Sequence, residues 1–142
     1  MRISNKKAKF NYKLLEIFEA GMSLTGAEVK AIKAGKVDLT NSYAKVIGRE
    51  IFLINTTISS QNARSYNPTR TRKLLLHKKE INKIETKIKT KKLTLVPVSI
   101  YTIRGLIKVK IALAKSKKTH QKKEILKKAD LKREMERELK DR

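Results

Sequence analysis

The chain has 142 residues, and its 36 Lys or Arg against 13 Asp or Glu give a formal net charge of +23. Small domains usually carry a net charge of only ~2–8, so this surplus predicts an acidic partner and favours binding to a polyanion. The lack of cysteine excludes disulfides, cysteine nucleophiles and thiolate metal sites, and no stretch approaches the ~20 apolar residues of a membrane span.

The first predicted elements are a strand over residues 9–20 and a short helix over residues 26–34. Within the strand the apolar positions change parity midway, which indicates a bulge or a twist. The helix begins with a capping box, because Thr25 is followed three residues later by Glu28. Gly35 is placed to end this helix in a left-handed conformation.

Two hairpins and a second helix are predicted further along the chain. Turn residues around Gly48 and Gly105 each separate two apolar runs, which is typical of hairpins. Isoleucines recur at helical spacing between the hairpins. The predicted strands are residues 42–47, 51–58, 93–103 and 106–114; the helix is residues 78–91; residues 59–71 form a polar loop, expected to be mobile without a partner.

These elements predict a mainly β protein with about six strands in a small OB-type β-barrel, closed or partly open, and two or three flanking helices. Barrels of this kind bind nucleic acid on a sheet face and its flanking loops. In the last strand Lys108 and Lys110 alternate with apolar residues, so both cations are expected on the outer face. We assign residues 1–114 to the barrel and residues 115–142 to a basic C-terminal tail.

Both parts of the chain are basic. Residues 1–114 contain 24 Lys or Arg and seven Asp or Glu, whereas residues 115–142 contain 12 and six, so the net charges are +17 and +6. The body itself is therefore expected to contact phosphate. The tail carries only a weak apolar repeat, so we expect it to be disordered when free and helical against a phosphate-rich surface. The alternative is a solvated helix packed on the barrel.

The sequence contains no arrangement typical of catalysis or of a metal site. His77 is expected to cap a helix or to make a surface contact. His120 lies in a lysine run without a carboxylate to orient it, so base stacking is its better functional interpretation. Glu28 has two open interpretations, a capping-box carboxylate or a direct RNA contact. Three tyrosines could stack on bases, namely Tyr43, Tyr66 and Tyr101. Packing is the simpler interpretation for Tyr43 and Tyr101, which lie inside predicted strands.

Seven segments together resemble the small protein B family, the SsrA-binding (tmRNA-binding) proteins of trans-translation. Each motif is modest alone, but they occur in a consistent order almost from end to end. The segments are residues 5–12 (NKKAKFNY), 24–35 (LTGAEVKAIKAG), 41–44 (NSYA), 72–77 (RKLLLH), 93–97 (LTLVP), 114–120 (AKSKKTH) and 130–134 (DLKRE).

The resemblance implies a non-catalytic adaptor without a cofactor or metal. Its barrel would bind the tRNA-like domain of tmRNA and take the place of an anticodon stem on stalled ribosomes. Its tail would lie as a helix in the empty mRNA channel and the decoding centre of the small subunit. The resemblance further implies elongation factor Tu as a partner through aminoacylated tmRNA, a monomer when free, no membrane, and a cytoplasmic location in a bacterium or an organelle of bacterial descent.

The resemblance and the basic surface together predict two sets of contact residues. The set predicted to bind tmRNA is Lys6, Lys7, Glu28, Lys30, Lys33, Arg72, Lys73, Leu75, Lys108 and Lys110. The set predicted to bind the ribosomal decoding site and the mRNA channel is Lys117, Lys118, His120, Lys122, Lys123, Lys127, Lys128, Lys132 and Arg133.

Two other classes of function remain open at this point. An RNA-modifying or RNA-cleaving enzyme would require a cofactor or metal cluster. A structural protein of the ribosome would be present on every ribosome, whereas an adaptor would be enriched on stalled ones. Binding to a membrane surface is the weakest alternative, because the apolar face of the tail lacks large aromatic residues.

Overall fold

A computed structural model of the chain describes residues 2–60, 66–117 and 129–137. Within these residues the helices are α1 (Lys6–Asn11), α2 (Gly26–Lys33), α3 (Lys78–Lys91) and residues 129–137. The strands are β1 (Arg2–Ser4), β2 (Tyr12–Met22), β3 (Val37–Asp38), β4 (Tyr43–Ile47), β5 (Glu50–Ile54), β6 (Thr57–Ile58), β7 (Arg72–Leu75), β8 (Thr94–Ile103) and β9 (Leu106–Ser116).

Six strands close into a ring in the order β8–β4–β5–β7–β2–β9, because β9 pairs again with β8. All of these pairings are antiparallel. Strand β1 pairs with β8 as well, while β3 and β6 form a separate two-stranded sheet. The predicted mainly β fold with flanking helices is therefore confirmed, and the ring has the predicted number of strands.

The predicted strand over residues 9–20 is only partly correct, because residues 9–11 belong to α1 and the strand runs from Tyr12 to Met22. The side chain of Asn5 explains why residues 9–11 are helical and do not extend the strand. This side chain accepts a hydrogen bond from the Ala8 N–H at 3.2 Å and donates to the Leu39 and Pro97 carbonyls at 3.2 and 3.0 Å. These long-range bonds fix a helix start that local periodicity does not indicate.

Local signals elsewhere are confirmed. The register of β2 against β9 shifts between Leu14 and Glu16, at the position where the change of parity predicted a bulge or a twist. The capping box is complete, because Thr25 accepts from the Glu28 N–H while the Glu28 carboxylate accepts from the Thr25 N–H. Gly35 follows the helix with φ of +77°.

Both predicted hairpins and the predicted helix over residues 78–91 are present. The predicted strand over residues 51–58 is divided into β5 and β6, because Asn55 adopts a left-handed φ of +61° between them. The apolar run of residues 73–76 is too short to assign from periodicity. In the structure β7 (Arg72–Leu75) covers most of it and pairs with both β5 and β2.

The core lies inside the ring, and α3 packs against it. Ile81 and Ile84 of α3 join the same buried cluster as the inward side chains of the strands. In β9 the side chains of Val109, Ile111 and Leu113 are buried, whereas those of Lys108 and Lys110 are only half-buried. The predicted alternation therefore places both lysines on the outer face of the ring.

Candidate nucleic-acid interface

A groove of about 560 Å³ crosses the outer face of the ring, where strands β5, β7, β2 and β9 meet the start of α3. We call it the groove. Three of the predicted contact residues line it, namely Lys73, Leu75 and Lys108. They come from positions up to 35 residues apart in the chain, and strand pairing brings them together. The groove is therefore the part of the surface where predicted contacts converge.

The floor of the groove is a row of residues on three neighbouring strands. Gly21 of β2 pairs with Leu75 of β7 on one side and with Lys108 of β9 on the other. A Cβ atom at Gly21 would lie 3.4 Å from the Leu75 Cβ, so glycine leaves the floor open without displacing its neighbour. Leu75 is 52% exposed, so the floor offers an apolar surface beside a cation. An apolar surface next to a cation suits the binding of a nucleobase and its phosphate.

The adjacent row contains Glu19, which the sequence analysis missed. Glu19 pairs with Lys110 across β2 and β9, and it accepts a hydrogen bond from the Tyr101 hydroxyl. The Lys110 Nζ lies 5.4 Å from the centre of the Tyr101 ring. Burial and the hydrogen bond to Glu19 raise the pKa of Tyr101 to about 12. Tyr101 is thus packed, and it holds the carboxylate of Glu19 at the groove.

Further groove residues give no local sequence signal. Arg49 lies at the tip of the β4–β5 turn with φ of +63°, and Lys78 is the first residue of α3. His77 precedes α3 and makes no side-chain capping bond; it lines the groove instead. Their shared location depends on the tertiary arrangement of a turn and a helix end, which periodicity does not report.

Glu28 and Arg72 were predicted to contact RNA, but the structure places both side chains below the surface with no exposed area. Arg72 Nε donates to the Glu28 carboxylate at 2.7 Å, Arg70 also donates to it, and the Tyr66 hydroxyl lies 3.3 Å away. Burial raises the pKa of Glu28, but the hydrogen bonds from Arg70, the Thr25 N–H and Arg72 outweigh it and lower the pKa to about 2.

The same cluster fastens the loop before β7 to α2. Arg72 donates to the carbonyls of Thr56 and Pro68 at 2.6 and 3.0 Å and to the Tyr66 hydroxyl at 3.1 Å. These bonds satisfy a buried guanidinium that would otherwise be costly. Glu28 and Arg72 are therefore positioning residues that order residues 66–72, and Tyr66 is engaged within this cluster.

The remaining predicted residues lie elsewhere. Lys6, Lys7, Lys30 and Lys33 are exposed on α1 and α2, outside the groove, and Lys7 donates to Asn41 at 3.2 Å. Lys117 donates to the Lys9 carbonyl at 3.1 Å, beside the end of β9. Lys132 and Arg133 are exposed on the helix of residues 129–137. Six predicted residues lie outside the described part of the chain: Lys118, His120, Lys122, Lys123, Lys127 and Lys128.

Across residues 2–60, 66–117 and 129–137, no group of three or more His, Asp or Glu side chains is placed to hold a metal ion. In those same ranges no helix is long and apolar enough to cross a membrane. The groove is therefore a basic surface with an apolar floor.

Known proteins are similar to this chain over nearly its whole length. The family described as "SmpB protein" matches residues 2–141. The chain is 51% identical to the SsrA-binding protein of Acaryochloris marina over 140 residues, covering 96% of this chain and 91% of that protein. It is 45% identical to the SsrA-binding protein of Fusobacterium nucleatum over 141 residues, with coverages of 97% and 95%.

A solved structure is similar as well. It is described as "tmRNA-SmpB: a journey to the center of the bacterial ribosome", and the matched chain is 44% identical with a TM-score of 0.68. The similarity covers 83% of this chain and 85% of that one.

Proposed function

The chain belongs to the SmpB protein family, and on this basis we propose that it is an RNA-binding adaptor of trans-translation. It binds the tRNA-like domain of tmRNA and delivers it to stalled ribosomes. The observation that carries the proposal is the row of Leu75, Gly21 and Lys108, which combines an apolar floor with a cation on a protein of net charge +23. An apolar surface beside a fixed cation suits an RNA fold with exposed bases.

The tail supplies the second contact in this proposal. The residues predicted to bind the decoding site and the mRNA channel lie between positions 117 and 133. Eight of these nine residues are Lys or Arg, and a series of cations suits the phosphates of an RNA-lined channel. The ring of strands then takes the place of an anticodon stem. The exposed lysines of α1 and α2, outside the groove, are proposed as further phosphate contacts.

The finer parts of the proposal follow from the same role. The adaptor has no catalytic activity of its own, which agrees with relatives described as SsrA-binding proteins. Elongation factor Tu is a partner through its binding to aminoacylated tmRNA, and the adaptor needs no binding site of its own for this factor. The free protein is a monomer, since copies of net charge +23 repel one another, and it works in the cytoplasm of a bacterium or in an organelle of bacterial descent.

Replacing Lys108 by Glu is expected to weaken binding to the tRNA-like domain by about 30-fold, equivalent to about 2 kcal/mol, because it sets a carboxylate against phosphate at the groove floor. The matched control is Lys91→Glu, an exposed lysine at the end of α3 and outside the groove, which changes the net charge equally. Affinity is measured by fluorescence anisotropy across a salt series.

For about six neutralised phosphates the wild-type log–log salt slope is expected to be roughly −4 to −5, and Lys108→Glu should reduce its size by about one. Equal losses for the two variants would show that binding depends on net charge alone, and the groove would then not be the tmRNA site.

A further inference from the structure

A second surface lies next to the groove, on the outer faces of β4, β5 and β7. Phe52 of β5 pairs with Lys45 of β4 on one side and with Lys73 of β7 on the other. The three side chains therefore form a row of cation, aromatic ring and cation across three strands. At a strand spacing of about 4.8 Å, the two lysine backbones lie about 10 Å apart with the ring between them.

More apolar side chains surround this row. Tyr43 pairs with Ile54 on one side of it, and Ile47 pairs with Glu50 on the other. Tyr43 and Ile47 are exposed, while Phe52 and Ile54 are half-buried. Tyr43 lies one diagonal step from Phe52, about 7–8 Å away, so two aromatic rings face the same side. We call this surface, formed by Tyr43, Lys45, Phe52, Ile54 and Lys73, the platform.

The charges of the platform suit an anion. Among the described residues no carboxylate lies within 4 Å of the Lys45 ammonium. Lys73 forms an ion pair with Glu50 at 3.0 Å, but both side chains are nearly half exposed. Exposed pairs of this kind contribute little, so Lys73 can exchange Glu50 for a phosphate.

We propose that the platform binds an unpaired stretch of RNA, with one base stacked on Phe52, the next on Tyr43, and phosphates held by Lys45 and Lys73. Aromatic rings accept successive bases irrespective of sequence, and flanking cations hold the backbone. Lys73 belongs to the groove as well as to the platform, so the platform continues the groove. The inference rests on the proposed function, since the strand would be an extension of RNA already bound in the groove.

The structure favours RNA over a second copy of this chain as the occupant. A copy would bring a further +23 against Lys45 and Lys73, whereas a nucleic-acid strand brings one negative charge per nucleotide. The surface is also narrow, because it is three strands wide and rimmed by lysines.

The test measures binding of the full chain to a ten-nucleotide unstructured oligoribonucleotide that contains 2-aminopurine, with a duplex of the same length as a second probe. Stacking on Phe52 is expected to quench the fluorescence of 2-aminopurine. Phe52→Leu is expected to weaken single-strand binding by about 5- to 50-fold and to remove the quenching, while Phe52→Trp retains both. Leu106→Ala is the matched control, because Leu106 is 62% exposed at the tip of the other hairpin.

Lys45→Glu provides a variant at an exposed position, should Phe52→Leu perturb folding, and is expected to weaken the same binding. Unchanged affinity and quenching in Lys45→Glu would overturn the inference. So would self-association of the wild type that Phe52→Leu abolishes, measured by sedimentation. The proposed function is tested separately by Lys108→Glu against the tRNA-like domain; loss there with no effect at Phe52 would reject the platform and retain the adaptor.

Discussion

Removal of residues 118–142 is expected to abolish tagging of nascent chains on stalled ribosomes, while affinity for the tRNA-like domain of tmRNA stays within about threefold of the wild type. The groove is formed by residues between Glu19 and Lys108, so its side chains remain in place. The cut follows Lys117 because β9 continues to Ser116 and the Lys117 N–H donates to the Asn11 carbonyl at 2.9 Å. An earlier cut would remove part of the ring.

Tagging is measured in a reconstituted translation system on a messenger without a stop codon, and affinity by anisotropy with the same protein. A chain whose residues 118–142 are scrambled keeps the tail's charge and is the matched control; it is expected to bind tmRNA normally and to tag poorly. A loss of tmRNA affinity similar to the loss of tagging would place the tail in the tmRNA interface. It would contradict the proposal that the ring of strands binds tmRNA and the tail binds the ribosome.

Replacing Arg72 by Met is expected to lower the free energy of unfolding by about 3–5 kcal/mol, because it removes one member of a buried ion pair. The Glu28 carboxylate would lose its hydrogen bond from Arg72, and the carbonyls of Thr56 and Pro68 would lose their donor. Arg70→Met is the comparison variant. The Arg70 side chain is 40% exposed, so water can replace its contact with Glu28 and the expected loss is about 1 kcal/mol or less. Urea denaturation measures both.

The pH dependence of unfolding gives a second readout of the same cluster. The pKa of Glu28 is about 2 in the folded protein, below its ordinary value of 4.5. Protonation therefore favours the unfolded chain, and the stability contributed by the carboxylate is present above pH 4.5 and is lost as the pH falls toward 2. Glu28→Gln should remove this component of the pH dependence. Equal free energies of unfolding for the Arg72 and Arg70 variants at pH 7 would contradict a stabilising role for the buried ion pair of Arg72 and Glu28.

Local signals predicted much of the fold, because they act within a few residues. The capping box of Thr25 and Glu28 and the turn at Gly105 depend on neighbours in sequence, and both appear where expected. Helix α1 was missed because the side chain of Asn5 is fixed by carbonyls 34 and 92 residues away. No pattern within a short window contains that information.

The site divides in the same way. Alternation in the last strand correctly placed Lys108 and Lys110 on the outer face, since the period of a strand is local. It did not distinguish Lys108, which lines the groove, from Lys110, which lies over the ring of Tyr101. The charge of Arg72 predicted a contact with RNA, but its position in β7 points the side chain into the interior, where it forms an ion pair with Glu28. Such partners are set by tertiary packing.

Sequencing of the RNA that copurifies with the full-length chain from bacterial cells tests the central claim most directly, because it lets the protein choose among all cellular RNAs. We expect tmRNA to be strongly enriched over its share of total RNA, and the enrichment to be lost with Lys108→Glu and kept with Lys91→Glu. Recovery of ribosomal and transfer RNAs in proportion to their abundance, without enrichment of tmRNA, would contradict the assignment.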